Sequence, residues 1–291
     1  MSLSVKEIIS LAEKQLADSG VENAGGDAKS LYCYMTAISE SKMILEYQNV
    51  LQDLLCDRYF ELIDRRSSGE PLQYIVGNVS FMGYKFNVTP DVLIPRQDTE
   101  SVVESALAAI KASGAEKGDI LDLCCGSGAI GISLAGLLPG SSVTCSDISE
   151  KALAVARSNA ELNEVNKNVS FSQGDMFAPF TGKFKKRKFD CIVSNPPYIP
   201  SDKVLTLQRE ITEHEPLSAL DGGEDGLDFY RCIAEHAPEH LRKKAVLVLE
   251  IGDDQADEVG RLLAGKGFEN INVHRDLAGR NRCVTGRLPA R

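Results

Sequence analysis

Apolar residues recur at helical spacing from Ser4 to about Ser68. Val5, Ile8, Ile9, Ala12 and Leu16 form one stripe, and Leu51, Leu54, Leu55, Tyr59, Leu62 and Ile63 form another. These stripes predict a small helical bundle, with Gly20, Gly25 and Gly26 breaking the first helix from the next. Ser67-Ser68-Gly69-Glu70-Pro71 then punctuates the pattern, and from Tyr74 to Thr89 polar and apolar residues alternate around Met82-Gly83-Tyr84, which predicts a hairpin. After Pro95 short apolar runs alternate with helical patterns. Ile120 to Leu123, Ser142 to Ser146, Val169 to Ser172, Phe189 to Ser194 and Ala245 to Ile251 read as strands. Ala129 to Leu138, Ser149 to Asn163 and about Leu227 to Leu241 read as helices. A last helix near Gln255 to Leu263 precedes Asn270 to Val273 and Arg282 to Arg287, which would close the sheet edge as an antiparallel pair. The order predicts an α/β fold with a largely parallel, doubly wound sheet. The expected organisation is a helical domain over residues 1–70, a β-hairpin linker over 71–95 and the α/β domain over 96–291.

Composition narrows the class. A chain of 291 residues accommodates two domains, and a net charge of −10 argues against a broad nucleic-acid-binding face. No apolar run approaches a membrane span, and the N-terminus lacks a basic segment followed by an apolar core, so a cytoplasmic location is expected. The eight cysteines show no Cys-x-x-Cys pair and no His at zinc-ligand spacing, which predicts reduced thiols and no metal site. The one basic cluster, Lys183 to Lys188, reads either as a solvated loop or as a contact for an acidic partner or RNA.

Candidate chemistry lies at strand ends. Asn195-Pro196-Pro197-Tyr198 follows a strand it cannot continue, because two prolines remove two donors and fix φ at each. The Asn195 side-chain oxygen and the Pro196 carbonyl would offer two acceptors to a planar –NH2 group, with the Tyr198 ring as a wall. Asp122-Leu123-Cys124-Cys125-Gly126-Ser127-Gly128 ends the first strand and opens a helix, where glycines let backbone approach a ligand. Asp122 sits where nucleoside-methionine sites carry an acid that can anchor an ammonium. Asp147 ends the second strand and suits two ribose hydroxyls, a feature shared with NAD sites. Asp175 and Met176 follow the third, suited to an adenine amino group and one adenine face. Singly, such aspartates are more often helix caps or loop residues. At successive strand ends of one sheet they read as a nucleoside site.

These features with Asn-Pro-Pro-Tyr resemble Rossmann-type S-adenosylmethionine-dependent methyltransferases that modify an exocyclic or amide nitrogen. Ile94-Pro95-Arg96-Gln97-Asp98-Thr99-Glu100, Asp122 to Gly128, Ser194 to Ile199, and Glu215 to Gly223 with Asp225-Gly226-Leu227 look like the HemK/PrmC family, across essentially the whole chain. The resemblance implies a glutamine-N5 methyltransferase acting on the Gly-Gly-Gln loop of peptide chain release factors, converting S-adenosyl-L-methionine to S-adenosyl-L-homocysteine. It implies that Asp122, Cys124, Cys125, Gly126, Ser127, Gly128, Asp147, Asp175, Met176 and Asn195 hold the cofactor. Asn195, Pro196, Pro197 and Tyr198 would bind the substrate, with Asn195, Pro196 and Tyr198 catalytic. The N-terminal bundle would help hold the release factor, with neither a membrane nor stable nucleic-acid binding expected. Arg96 and Glu100, near the site mouth in the family, read as junction structure or as ligand contacts; Glu215-Pro216 and Asp221-Gly222-Gly223 read as turns or as substrate contacts. Two positions depart from the family pattern. Cys124 replaces the first glycine of Asp-Leu-Gly-x-Gly-(Ser/Thr)-Gly, so its backbone should avoid glycine-favouring conformations, and Met176 stands where some relatives carry an aromatic ring.

Two other readings remain open. An adenine-N6 methyltransferase would use the same corner, but needs a flipped base and a basic, aromatic-lined channel; the acidic balance and absence of tryptophan weigh against it. A non-catalytic adaptor is disfavoured by the intact Asn195-to-Tyr198 corner.

Overall fold

The computed structural model describes residues 3–181 and 187–290, which divide into two compact units. One comprises Met1–Gly77 with Gln208–His214, the other Asn78–Leu207 with Glu215–Arg291.

The first unit is helical. Its opening helix, Val5–Asp18, starts with a capping box in which Ser4 and Glu7 satisfy each other's backbone N–H groups. Val5, Ile8, Ile9, Ala12 and Leu16 are all buried, as the stripe predicts, against Leu31, Tyr32, Tyr59 and Ile63. Gly25 and Gly26 do not break the chain; they lie in the first turn of helix Ala24–Thr36. A Cβ on Gly25 would stand 2.9 Å from the Glu13 carboxylate, and one on Gly26 2.4 Å from the Asn23 side chain, so these glycines permit close approach. In helix Asp53–Ser67, Tyr59 and Ile63 are buried but Leu54 is 69% exposed. Five residues from Tyr59 at about 100° per residue put Leu54 roughly 140° off the buried face. Leu72–Val76 is a short helix rather than the start of the hairpin, entered from Pro71 and stopped by Gly77 at φ 79°. Arg66 is the unit's polar centre: it donates to Asp27 at 2.7 Å and pairs with Glu210 at 2.8 Å.

The second unit begins with hairpin β1 (Asn78–Phe81) and β2 (Tyr84–Asn87). Phe81 and Phe86 pack edge to face, and the Asn87 backbone exchanges hydrogen bonds with the Asn159 side chain on helix Glu150–Leu162. The sheet consists of β3 (Asp119–Leu123), β4 (Ser142–Asp147), β5 (Val169–Gln173), β6 (Phe189–Ser194), β7 (Leu241–Glu250), β8 (Glu269–Arg275) and β9 (Asn281–Arg287). Their spatial order is β5-β4-β3-β6-β7-β9-β8. The first five in that order are parallel, and β9 runs antiparallel between β7 and β8. This is the predicted doubly wound, Rossmann-like sheet with its antiparallel edge.

One strand starts earlier than its apolar run. β7 begins at Leu241 because Arg242, Lys243 and Lys244 bulge out, the partner of β6 jumping from Leu241 to Val246 while β6 advances from Phe189 to Cys191. Arg242 uses the bulge to pair with Asp119 and Asp190, each at 2.6 Å. Of the basic cluster, Lys183 to Lys186 lie outside the described residues. Arg187 stacks over Phe189 and Lys188 donates to the Leu241 carbonyl. No helix among the described residues is long and apolar enough to cross a membrane.

Candidate functional site

The chain runs outward from β3 to β4 to β5, then returns to β6 on the other side of β3, which makes the β3/β6 boundary the point where strand order reverses. Crevices open at the carboxyl ends of strands there. A cavity of about 370 Å³ occupies that place, and the sequence-predicted residues Cys124, Cys125, Gly126, Ser127, Asp147, Asp175, Met176, Asn195 and Pro197 line it. Asp122, Gly128, Pro196 and Tyr198 are not on its wall.

The turn after β3 is built on left-handed residues: Cys124 at φ 60°, Gly126 at 52° and Gly128 at 80°. Cys124 therefore does not avoid the glycine-favouring region, and holding a side chain there costs about 1–2 kcal/mol. Met176, at φ 45°, is in the same condition after β5. The two meet, Cys124 Sγ lying 3.8 Å from Met176 Sδ, so the two departures from the family pattern form one sulfur pair on the cavity wall. Burial pushes the Cys124 thiol up, which keeps it protonated. None of the eight cysteines is in a disulfide, and among the described residues no cluster of His, Cys, Asp or Glu could hold a metal.

Asp147 staples the turn. One carboxylate oxygen accepts from Gly126 N and the other from Ser149 N, each at 2.9 Å. It is thus a turn cap and a cavity residue together, since each oxygen has a second lone pair to offer. Asp122 lies beneath, 1% exposed, with Oδ2 accepting from Gly131 N at 2.8 Å. Its Oδ1 has no partner, and burial, with the Asp147 charge adding to it and the Gly131 N–H opposing, pushes its carboxyl up to about 7. An orphaned buried carboxylate oxygen under a turn that lines a cavity suits a cationic ligand group. A side chain at Gly131 would collide with both Asp122 and Cys145. The residues present fit a nucleoside cofactor with an ammonium at one end: an acid below the turn, Asp147 at the β4 end, and Asp175 with Met176 at the β5 end.

The corner after β6 is held from behind. Ser194 Oγ donates to the Leu123 carbonyl at 2.6 Å, tying β6 to β3 where both chains leave the sheet. Asn195 and Pro197 face the cavity, Pro196 is buried, and Tyr198 packs on the core with its hydroxyl 3.4 Å from Glu250 Oε1. Burial pushes the Tyr198 phenol up. The Asp221-Gly222-Gly223 segment braces this corner: Gly222 N donates to Ile199 O, Ile199 N to Leu220 O, and a Cβ on Gly222 would stand 2.7 Å from Tyr198 Cα. Gln255 Nε2 donates to the Tyr198 carbonyl at 2.9 Å.

The family-like segments at the mouth pair with each other. The Glu215 side chain is fully buried; it accepts from Ile94 N and forms an ion pair with Arg96, which lines the cavity with Pro216, Ser218 and Ala219. Glu100 instead accepts from Met82 N at 2.7 Å, holding the hairpin. Sequence reasoning missed Thr99 on the cavity wall and Glu250 behind Tyr198. The available signal was an acid next to last in the apolar run Ala245 to Ile251, the place Asp122 holds in Ile120 to Leu123.

Residues 103–224 match the Methyltransferase small domain family, and residues 7–77 match the PrmC N-terminal domain family. A release factor glutamine methyltransferase of Moorella thermoacetica is 40% identical over 282 residues, covering 97% of each chain. One from Thermodesulfovibrio yellowstonii is 41% identical over 258 residues, covering 89% of this chain and 90% of the relative. Among solved structures, the Thermus thermophilus 16S rRNA N2 G1207 methyltransferase, in complex with AdoMet and guanosine, aligns with a TM-score of 0.51 at 18% identity. The alignment covers 72% of this chain and 49% of that one, and shows the fold alone.

Proposed function

The chain belongs to the release factor glutamine methyltransferase family, and from that premise we propose that it methylates the side-chain amide nitrogen of the glutamine in the Gly-Gly-Gln loop of peptide chain release factors. The observation that carries this reading is that Asn195 and Pro197 of the rigid corner after β6 line the same cavity as Cys124 to Ser127, Asp147, and Asp175 with Met176, which stand at the ends of three other strands.

S-adenosyl-L-methionine, when bound, supplies an electrophilic methyl and leaves as S-adenosyl-L-homocysteine. Asp122 would anchor its ammonium directly or through water, Asp147 would take the ribose hydroxyls and Asp175 the adenine amino group, and Met176 would pack with Cys124 against the base. The Cys124-to-Ser127 turn would supply a close backbone wall.

An amide nitrogen is a weak nucleophile because its lone pair is delocalised into the carbonyl. Asn195 Oδ1 and the Pro196 carbonyl accept its two hydrogens, aim the nitrogen and offset positive charge developing on it. Two prolines pre-set the corner, so little ordering is left to the reaction. Tyr198 supports the corner from the core side. The helical unit is proposed to contribute to holding the release factor.

The test is incubation with methyl-labelled cofactor and purified release factor, followed by mapping of the label. Label on the loop glutamine is expected, with Asn195→Ala slowing transfer by about 100-fold or more, the scale of a lost oriented polar contact to a reacting group. Label on an oligonucleotide and none on release factor would instead favour adenine methylation.

A further inference from the structure

Glu250 ends β7 directly beside Asn195. The last paired residues of β6 and β7 are Ser194 and Leu249, so Asn195 and Glu250 are the next residues of two neighbouring parallel strands, at one rim of the sheet. Glu250 is 2% exposed, and its Oε2 has no hydrogen-bond partner. Burying such an oxygen is costly, which marks it as a group with a use. Thr99, in the segment Ile94 to Glu100, connects it to the site: it is buried, it lines the cavity, and its side chain opposes the rise in the Glu250 carboxyl's proton affinity.

The other groups facing Glu250 come from four elements. Tyr198 Oη approaches Oε1, Tyr230 Oη donates to the Glu250 backbone carbonyl at 2.8 Å, and Arg282, Asp98 and Cys283 complete the charged and titratable surroundings. Burial pushes the carboxyl up to about 7, with Thr99, Arg282 and Tyr198 pulling down and Asp98 adding to the rise. A carboxylate with that affinity holds a proton briefly and returns it near neutral pH.

We propose that Glu250 is the final proton acceptor of the methyl transfer, reached from the substrate nitrogen through the Thr99 hydroxyl. The proposal rests on the reading that this cavity methylates an amide. As the N–CH3 bond forms and the donor's S–CH3 bond breaks, the amide nitrogen carries one proton in excess. The Thr99 hydroxyl takes that proton and passes its own to the Glu250 carboxylate. The products are a neutral N-methyl amide, a thioether and a carboxylic acid, and loss of that proton to solvent resets the site. Glu250 touches no reacting atom and acts through Thr99.

Single-turnover labelling of release factor across about pH 5.5 to 8.5, alongside thermal melts over the same range, tests this in wild type, Glu250→Gln, Thr99→Val and Thr99→Ser. The wild-type rate should rise along a limb near pH 7. Glu250→Gln and Thr99→Val should lose that limb and fall about 100-fold in rate, with KM for release factor within about twofold, while Thr99→Ser keeps both rate and limb. The melting temperature of Glu250→Gln should gain on wild type as pH rises toward 7, a readout independent of turnover. A wild type that transfers label while Glu250→Gln or Thr99→Val keeps its rate and pH limb overturns the proposal alone. A wild type that labels no release factor overturns the functional reading and the proposal with it. If Glu250→Gln fails to fold, the wild-type profile and the two Thr99 variants decide.

Discussion

At the residue scale the informative pair is Cys124 and Met176. Each holds a side chain in the left-handed region, and each sulfur is the other's neighbour at 3.8 Å. Replacing Cys124 by glycine relieves strain of about 1–2 kcal/mol, but it frees the unfolded chain and removes the contact. The single change should therefore leave stability within about 1 kcal/mol of wild type. The interaction should surface in a double-mutant cycle: Cys124→Gly with Met176→Phe is expected to depart from additivity by about 0.5 kcal/mol or more, measured by urea denaturation with cofactor product present. Gly222 behaves differently, because its missing Cβ faces backbone. Gly222→Ala would press on Tyr198 Cα and the Pro197 carbonyl, and should cost roughly 1–3 kcal/mol. Its methyl-transfer rate should fall further than its melting temperature implies, because the displaced atoms belong to the Asn195-Pro196-Pro197-Tyr198 corner.

At the element scale, strands and helices announced themselves where their periodicity was local, as in β3, β4, β6 and helix Ala129–Leu137. The departures share one cause: a partner distant in sequence outweighed the local signal. Gly25 looks like a breaker until Glu13, on the preceding helix, is seen against it, and Arg242 to Lys244 look like loop until Asp119 and Asp190 receive Arg242. The site divides in the same way. Asp147, Asp175 and Asn195 were legible because a polar residue ending an apolar run is a local pattern, whereas Thr99 and Glu250 meet only across the fold. The β6-to-β7 connection shows this most fully, since its Gln208–His214 segment belongs to the helical unit, where Glu210 pairs with Arg66. Arg66 also satisfies the buried Asp27, so Arg66→Ala leaves one carboxylate buried without its cation and a second without its partner. It should destabilise the unit by about 3 kcal/mol or more in chemical denaturation, and Asp27→Ala added to it should cost less than the two singly. Faster proteolytic cleavage within Gln208–His214 is expected in the same variant.

At the scale of the whole molecule, two buried acids set an unusual pH dependence. Asp122 and Glu250 both have carboxyls pushed up to about 7 from ordinary values of 3.8 and 4.5, and burial is the leading cause for each. A carboxyl raised on folding contributes its stability in full below its unfolded value, loses it progressively as pH rises toward 7, and contributes no further change above that. Between about pH 4 and 7 Glu250 therefore withdraws on the order of 3 kcal/mol and Asp122 on the order of 4 kcal/mol. Asp122→Asn and Glu250→Gln should lie close to wild type at about pH 4.5 and be more stable than it at pH 8. Cofactor binding separates the two acids. An ammonium brought to the orphaned Asp122 Oδ1 favours its charged form, so binding near pH 6.5 must expel a proton from Asp122, while Glu250, behind Tyr198, keeps its own. Calorimetry of S-adenosyl-L-homocysteine binding in buffers of different ionisation enthalpy should show net proton release in wild type and Glu250→Gln. It should show none in Asp122→Asn, and the wild-type release should fade by about pH 8.5 as Asp122 becomes charged before the ligand arrives. Equal release from Asp122→Asn would remove Asp122 from the ammonium site.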